Sequence, residues 1–146
     1  MSDRPPLLLI HGFTDTARTW DPLVPLLKDD FELIVPTLVG HRGGPPLPQP
    51  LGTPLQALVD GLERALEEAG HGGNEPVHIV GNSLGGWLAF ELAARRRALS
   101  VLALSPAQGW EDEVPRSVER TFRRAHRMAP IGARIAEKIA TRPGLR

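Results

Sequence analysis

Ser83 stands in the run "VHIVGNSLGGWLAFELAARRR", residues 77–97, where Gly81-Asn82-Ser83-Leu84-Gly85 fits the pattern G-x-S-x-G. A serine hydroxyl attacks an acyl carbon when it stands clear of the backbone, a base takes its proton and amide donors meet the developing oxyanion. The glycine spacing serves the first need. A serine on a sharp strand-to-helix bend projects from the sheet edge, but strand and helix then converge so closely that side chains two positions away would collide. A helix beginning at the serine serves the third, because its first amides are unpaired and its positive end faces the reacting centre. Random placement of 15 glycines and five serines gives about 0.05 such matches in a chain of this length.

The bend needs a strand before it and a helix after it, and the sequence supplies both. Four apolar runs read as strands covered on both faces: "LLLI" (7–10), "FELIV" (31–35), "VHIV" (77–80) and "LSVLAL" (99–104). Between them, "TPLQALVDGLERALEEAG" places Leu55, Leu58, Val59, Leu62 and Leu66 on one helical stripe. Thr53 with Gln56 matches a capping box, Pro54 takes the first helical position and Gly70 closes the end. "WDPLVPLL" predicts a shorter helix capped by Asp21, and a third helix runs from Leu84 to about Arg96. Its last turn carries Arg95, Arg96 and Arg97, which suit the negative end of the dipole. The Gly/Pro stretch "GHRGGPPLPQPLGT" is a loop between adjacent elements. Strands alternating with helices predict an α/β fold, an open parallel sheet with helices on both faces.

The 146 residues suffice for an ordinary core, and 41% are apolar. Cysteine is absent, which removes disulfide and thiolate chemistry and fits a reducing, cytoplasmic setting. No apolar run is long enough for a signal peptide or a membrane span. Histidines lack ligand spacing and no phosphate-cradling glycine loop appears, so neither metal nor cofactor is expected. The net charge of zero hides a break near "GWEDEVPRS": residues 1–113 carry 8 basic and 15 acidic side chains, whereas residues 114–146 carry 9 and 2. The sequence therefore divides into a body, 1–113, and a basic amphipathic segment, 114–146. There Val118, Phe122, Ala125 and Ala129 share a face opposite Arg116, Arg120, Arg123, Arg124 and Arg127. With few aromatic anchors, those arginines read as a solvated face, with no nucleic-acid or membrane partner expected.

"LLLIHGFTDTARTW", the "GHRGG" loop, "HIVGNSLGGWLAF" and "LSVLALSPAQGW" together resemble the α/β-hydrolase family. The resemblance implies that Ser83 is the nucleophile and that the oxyanion is held by the backbone amides of Leu84 and Phe13, with His11, Gly12, Gly81 and Gly85 shaping the two motifs. It implies an ester or related small acyl substrate and an acyl-enzyme. An acyltransferase, a carbon–carbon bond hydrolase and a non-catalytic ligand-binding module remain alternatives on the same scaffold. A serine at the bend disfavours the branches that use aspartate there, the haloalkane dehalogenases and epoxide hydrolases. Thr37 and Val39 depart from the family, which often carries an acidic residue entering the loop after the second strand.

The base is not evident. The family order is serine, acid, histidine, and the one histidine after Ser83 is His126, in a helical pattern with no strand before it. Glu111 and Asp112 read as solvated loop carboxylates. Upstream, His11 belongs to the oxyanion loop, His41 packs in its loop or lines the pocket rim, His78 lies within a strand as a core residue and His71 reads as an exposed loop residue. The family sheet has eight strands, and this sequence offers four. The chain therefore reads as the amino-terminal part of a hydrolase and the beginning of its cap, with base and acid expected on strands beyond it. Oligomeric state is left open.

Overall fold

The computed structural model describes residues 3–49 and 53–107. Strand β1 (Pro6–Ile10) alternates its side chains between two cores. Leu8 and Ile10 enter one with Ile34, Val59, Leu62, Leu66, Ile79, Leu88 and Leu92. Leu7 and Leu9 enter the other with Trp20. β1 pairs in parallel with β2 (Glu32–Ile34) on one side and β3 (Val77–Asn82) on the other; β3 pairs with β4 (Ala98–Leu104), giving the order β2-β1-β3-β4. Helices α2 (Pro54–Glu68) and α3 (Leu84–Ala94) cover the first face. A 3-10 turn (Ala17–Trp20) and the short α1 (Val24–Leu27) cover part of the second. The open parallel sheet with helices on both faces is as the strand and helix patterns imply.

Local chemistry explains where elements differ from their sequence signals. Thr53 caps α2, its hydroxyl accepting from the Gln56 amide at 3.2 Å. The reciprocal half of the capping box is absent: the Gln56 side chain instead donates to Asp60 and accepts from Arg95. Gly70, at φ +90°, ends the helix in the left-handed region. "WDPLVPLL" is not one helix capped by Asp21. Asp21 ends the 3-10 turn, and α1 begins after Leu23. β4 is also not covered on both faces: it is an edge strand with Leu99, Leu102 and Leu104 exposed.

Two polar residues are more buried than the sequence implies. Arg97 lies beyond α3, only 2% exposed. Its Nε donates to Glu63 at 2.8 Å, its Nη2 to the His71 carbonyl at 2.8 Å and its Nη1 to the Glu75 carbonyl. One guanidinium thus ties α2, the α2–β3 loop and the entry to β4. Its fixed fork of donors suits that task better than a helix-end charge would require. His71, read as exposed, is buried beneath this clamp, its ring nitrogens 3.5 Å from Glu32 and Glu75. The described residues fall in one compact unit, Met1–Gly109. The expected cap segment, 114–146, lies outside the described residues.

Candidate active site

The strand order reverses direction between β1 and β3: the chain leaves β1 across one face and returns to β3 across the other. In open parallel sheets such a switch point opens a crevice at the carboxyl ends of the strands. Ile10 pairs with Gly81, so both strands end side by side there. Ser83 follows β3, and the His11-Gly12 pair follows β1.

Ser83 has φ 52° and ψ −111°, a conformation that L-residues rarely adopt. The neighbouring glycines make it possible. A Cβ at Gly81 would lie 2.1 Å from the Gly85 carbonyl oxygen, and one at Gly85 would lie 2.2 Å from that of Ile10. The bend is then locked by main-chain bonds. The Ser83 amide donates to the Leu104 carbonyl at 2.9 Å, and its carbonyl accepts from Gly86, Trp87 and Ala107 at 3.0, 3.2 and 3.0 Å. Gly86 packs closely on Pro106, where an added Cβ would lie 3.1 Å from the proline ring. The exit of β4 therefore buttresses the bend from outside. Leu84 is the first residue of α3, so its amide belongs to the turn that lacks intrahelical acceptors.

The second motif meets the first. A Cβ at Gly12 would stand 3.5 Å from Ser83 Cβ and 3.4 Å from Asn82 Nδ2. His11 is fully buried, and the Leu38 amide donates to its Nε2 at 2.9 Å. That bond makes Nε2 the acceptor, so Nδ1 carries the proton and donates to the Gly12 carbonyl at 2.8 Å. Burial holds the His11 imidazole below its ordinary value, and His41 lowers it further, against the raising influence of the Gly12 carbonyl and Asp15. A neutral His11 therefore links the β1 exit to the β2 exit. It orients the loop and does not stand as a base. His41 packs edge-on against both His11 (centroids 5.1 Å) and Phe13 (6.0 Å). Thr37 accepts the Ala17 amide at 3.1 Å and ties the two loops. His78 sits in β3 with Nδ1 2.8 Å from the Ser100 hydroxyl, half-buried and not within the core.

Three of the four non-glycine residues at positive φ surround this corner: Thr14 (68°), Ser83 (52°) and Ser105 (45°). Backbone strain gathers where surrounding structure over-determines it, commonly at functional sites. The strain at Thr14 and Ser105 carries no sequence signal. Among the described residues no side chain is hydrogen-bonded to the Ser83 hydroxyl, and none of the four described histidines lies against it as a base would. His126, Glu111 and Asp112 lie outside the described residues. Among the described residues no group of His, Cys, Asp or Glu forms a metal site, and no helix is long and apolar enough to cross a membrane.

Comparison with known proteins agrees with this geometry. The chain belongs to the alpha/beta hydrolase family, whose sequence profile matches residues 7–145. It is similar to epoxide hydrolase EphH of Mycobacterium tuberculosis, with 58% identity over 53 residues covering 36% of this chain and 23% of that protein. It is 36% identical over 110 residues to the dihydrolipoyllysine-residue acetyltransferase component of the acetoin cleaving system of Cupriavidus necator, covering 74% and 28% of the two chains. Among solved structures it resembles a protein assigned as a lipase, lip1, from Acinetobacter baumannii AYE. That match has a TM-score of 0.67 and 28% identity, and covers 78% of this chain and 38% of the other. The chain spans less than half the length of each of these relatives.

Proposed function

We propose that this chain carries the nucleophile and oxyanion half of a serine acyl-transfer centre acting on an ester or related small acyl compound. The observation that carries the reading is the Ser83 bend, strained and locked between Gly81 and Gly85 with Gly12 against it. Ser83 Oγ attacks the acyl carbon while the amides of Leu84 and Phe13 receive the oxyanion. The alcohol leaves carrying the hydroxyl proton, and water then releases the acid from the acyl-enzyme. The described residues supply no base, so turnover by this chain alone is expected to stay at the level the oxyanion donors provide.

The names of the relatives bear on the alternatives. An epoxide hydrolase of this fold, as the resemblance implies, uses a carboxylate at the bend, whereas this chain presents a hydroxyl. An acyltransferase differs only in the acceptor that takes the acyl group, and the acetyltransferase relative keeps that reading open as the second choice.

A fluorophosphonate tests the nucleophile directly. Imidazole in excess stands in for the base: Ser83 oxygen bonds phosphorus, fluoride departs with its electron pair, and the hydroxyl proton passes to the added imidazole. Intact-mass spectrometry of the full chain is expected to show one adduct that Ser83→Ala abolishes. No adduct on the unaltered chain would overturn the reading. Ester turnover abolished by His126→Ala as well as by Ser83→Ala would instead promote His126 to base.

A further inference from the structure

Gly12 to Asp15 form a tight turn, closed by the Asp15 amide donating to the Gly12 carbonyl at 3.3 Å. Thr14, its third residue, has φ +68°, while Phe13 is not among the residues of positive φ. Negative then positive φ is the type II arrangement, whose third position belongs to glycine or asparagine. A β-branched residue there is a true outlier. Left to local preference, the turn would become type I, which rotates the Phe13–Thr14 peptide by about 150°. The surroundings prevent this. Upstream, His11 is pinned to Leu38. Downstream, the Asp15 carboxylate accepts the Thr16 amide at 2.9 Å and bonds Thr19, and Ala17 is tied to Thr37. Both ends are clamped, and the strain stays at Thr14.

The peptide that would rotate borders the nucleophile, because Gly12 lies against Ser83 and Phe13 packs on His41. That peptide carries the Phe13 carbonyl and the Thr14 amide, whereas the Phe13 amide belongs to the peptide before it; rotation would reverse the first two beside the nucleophile and shift the Phe13 side chain. We propose that Thr14 is a positioning residue, holding the loop between His11 and Asp15 in the one turn type that keeps the Phe13 carbonyl from turning in beside the Phe13 amide and the nucleophile. This assignment rests on the reading of Ser83 as nucleophile.

The test is the second-order rate of Ser83 phosphonylation by a fluorophosphonate in full-chain variants with excess imidazole supplied as the base, followed by intact mass alongside thermal melting. Thr14→Asn tolerates the left-handed backbone, so it is expected to react within about twofold of the unaltered chain and to melt higher. Thr14→Pro fixes φ near −65° and excludes the turn. It is expected to react at least about tenfold more slowly while retaining the circular dichroism of the parent. A proline variant reacting at the parent rate, or asparagine and proline variants slowed alike, would overturn the assignment. If the proline variant does not fold, Asp15→Ala, which unclamps the turn, replaces it: several-fold slowing supports the proposal and an unchanged rate refutes it. An unreactive parent chain would defeat the reading of Ser83 itself, a different outcome from either.

Discussion

Glycine at positions 81 and 85 is required by neighbouring atoms more than by backbone freedom. Gly85→Ala would drive a methyl group into the Ile10 carbonyl at 2.2 Å, a rigid main-chain neighbour in the sheet. A loss of about 3 kcal/mol is expected, at the upper end for overpacking, read from the midpoint of urea unfolding. A variant as stable as the parent would show that the bend can open. His11 gives a second prediction at this scale. Its folded-state imidazole titrates below the ordinary value because burial opposes its charge, so the unfolded chain binds the proton first as pH falls. Stability is therefore expected to decline as pH drops below about 6.5, the ordinary imidazole value, toward the lower folded value. Asp15 acts in a separate window. Its carboxyl is lowered by the Thr19 hydrogen bond, so its stabilisation is present above the ordinary carboxylate value and is lost in stronger acid. Melting from pH 7.5 to 5.5, compared with His11→Gln, isolates the first effect; parallel curves for the two proteins would contradict it.

The most legible elements were those whose signals are local. The stripe of α2, its Thr53 cap and Gly70 stop all lie within a few residues of one another, and so does the glycine frame of Ser83. Contacts over long sequence separations were not legible. Arg97 reaches Glu63 and the His71 and Glu75 carbonyls across 22 to 34 residues, and from sequence it reads only as one cation in a row of three. The burial of His71 comes with that clamp, so the local sequence carries no sign of it. The same distinction sets the expected energies. Thr53→Ala removes one exposed cap and is expected to cost about 1 kcal/mol. Arg97→Met leaves the half-buried Glu63 carboxylate and two loop carbonyls without their donor and is expected to cost about 3 kcal/mol, even though methionine fills much of the same volume. Equal losses in the two variants, measured by denaturant titration, would mean the clamp carries no more than a surface pair.

At the scale of the whole molecule, the sheet has two edges among the described residues, the three-residue β2 and the longer β4, and part of one face near β4 is left without a protein partner. Leu7, Leu9, Trp20, Phe31, Val80 and Leu102 line an apolar groove of about 580 Å³ between the 3-10 turn and β4. Leu102 is 55% exposed and Leu99 on the opposite face 56%, so the edge strand is apolar on both sides. Such an edge is a template for association, and nothing in the overall charge opposes it, since the chain is net neutral at pH 7. Light scattering of the full chain is therefore expected to show concentration-dependent association. The acidic body and basic tail offer a competing electrostatic cause, and salt separates the two. At about 1 M salt the screening length falls to ~3 Å, which would dissolve contacts between charged halves but leave apolar ones intact. Association through β4 is expected to persist there and to weaken in Leu102→Lys, which charges the edge at a cost of no more than about 0.5 kcal/mol for an exposed position. Association that vanishes in salt and ignores Leu102→Lys would assign the cause to the charge asymmetry instead, leaving β4 an edge that solvent alone is able to cover.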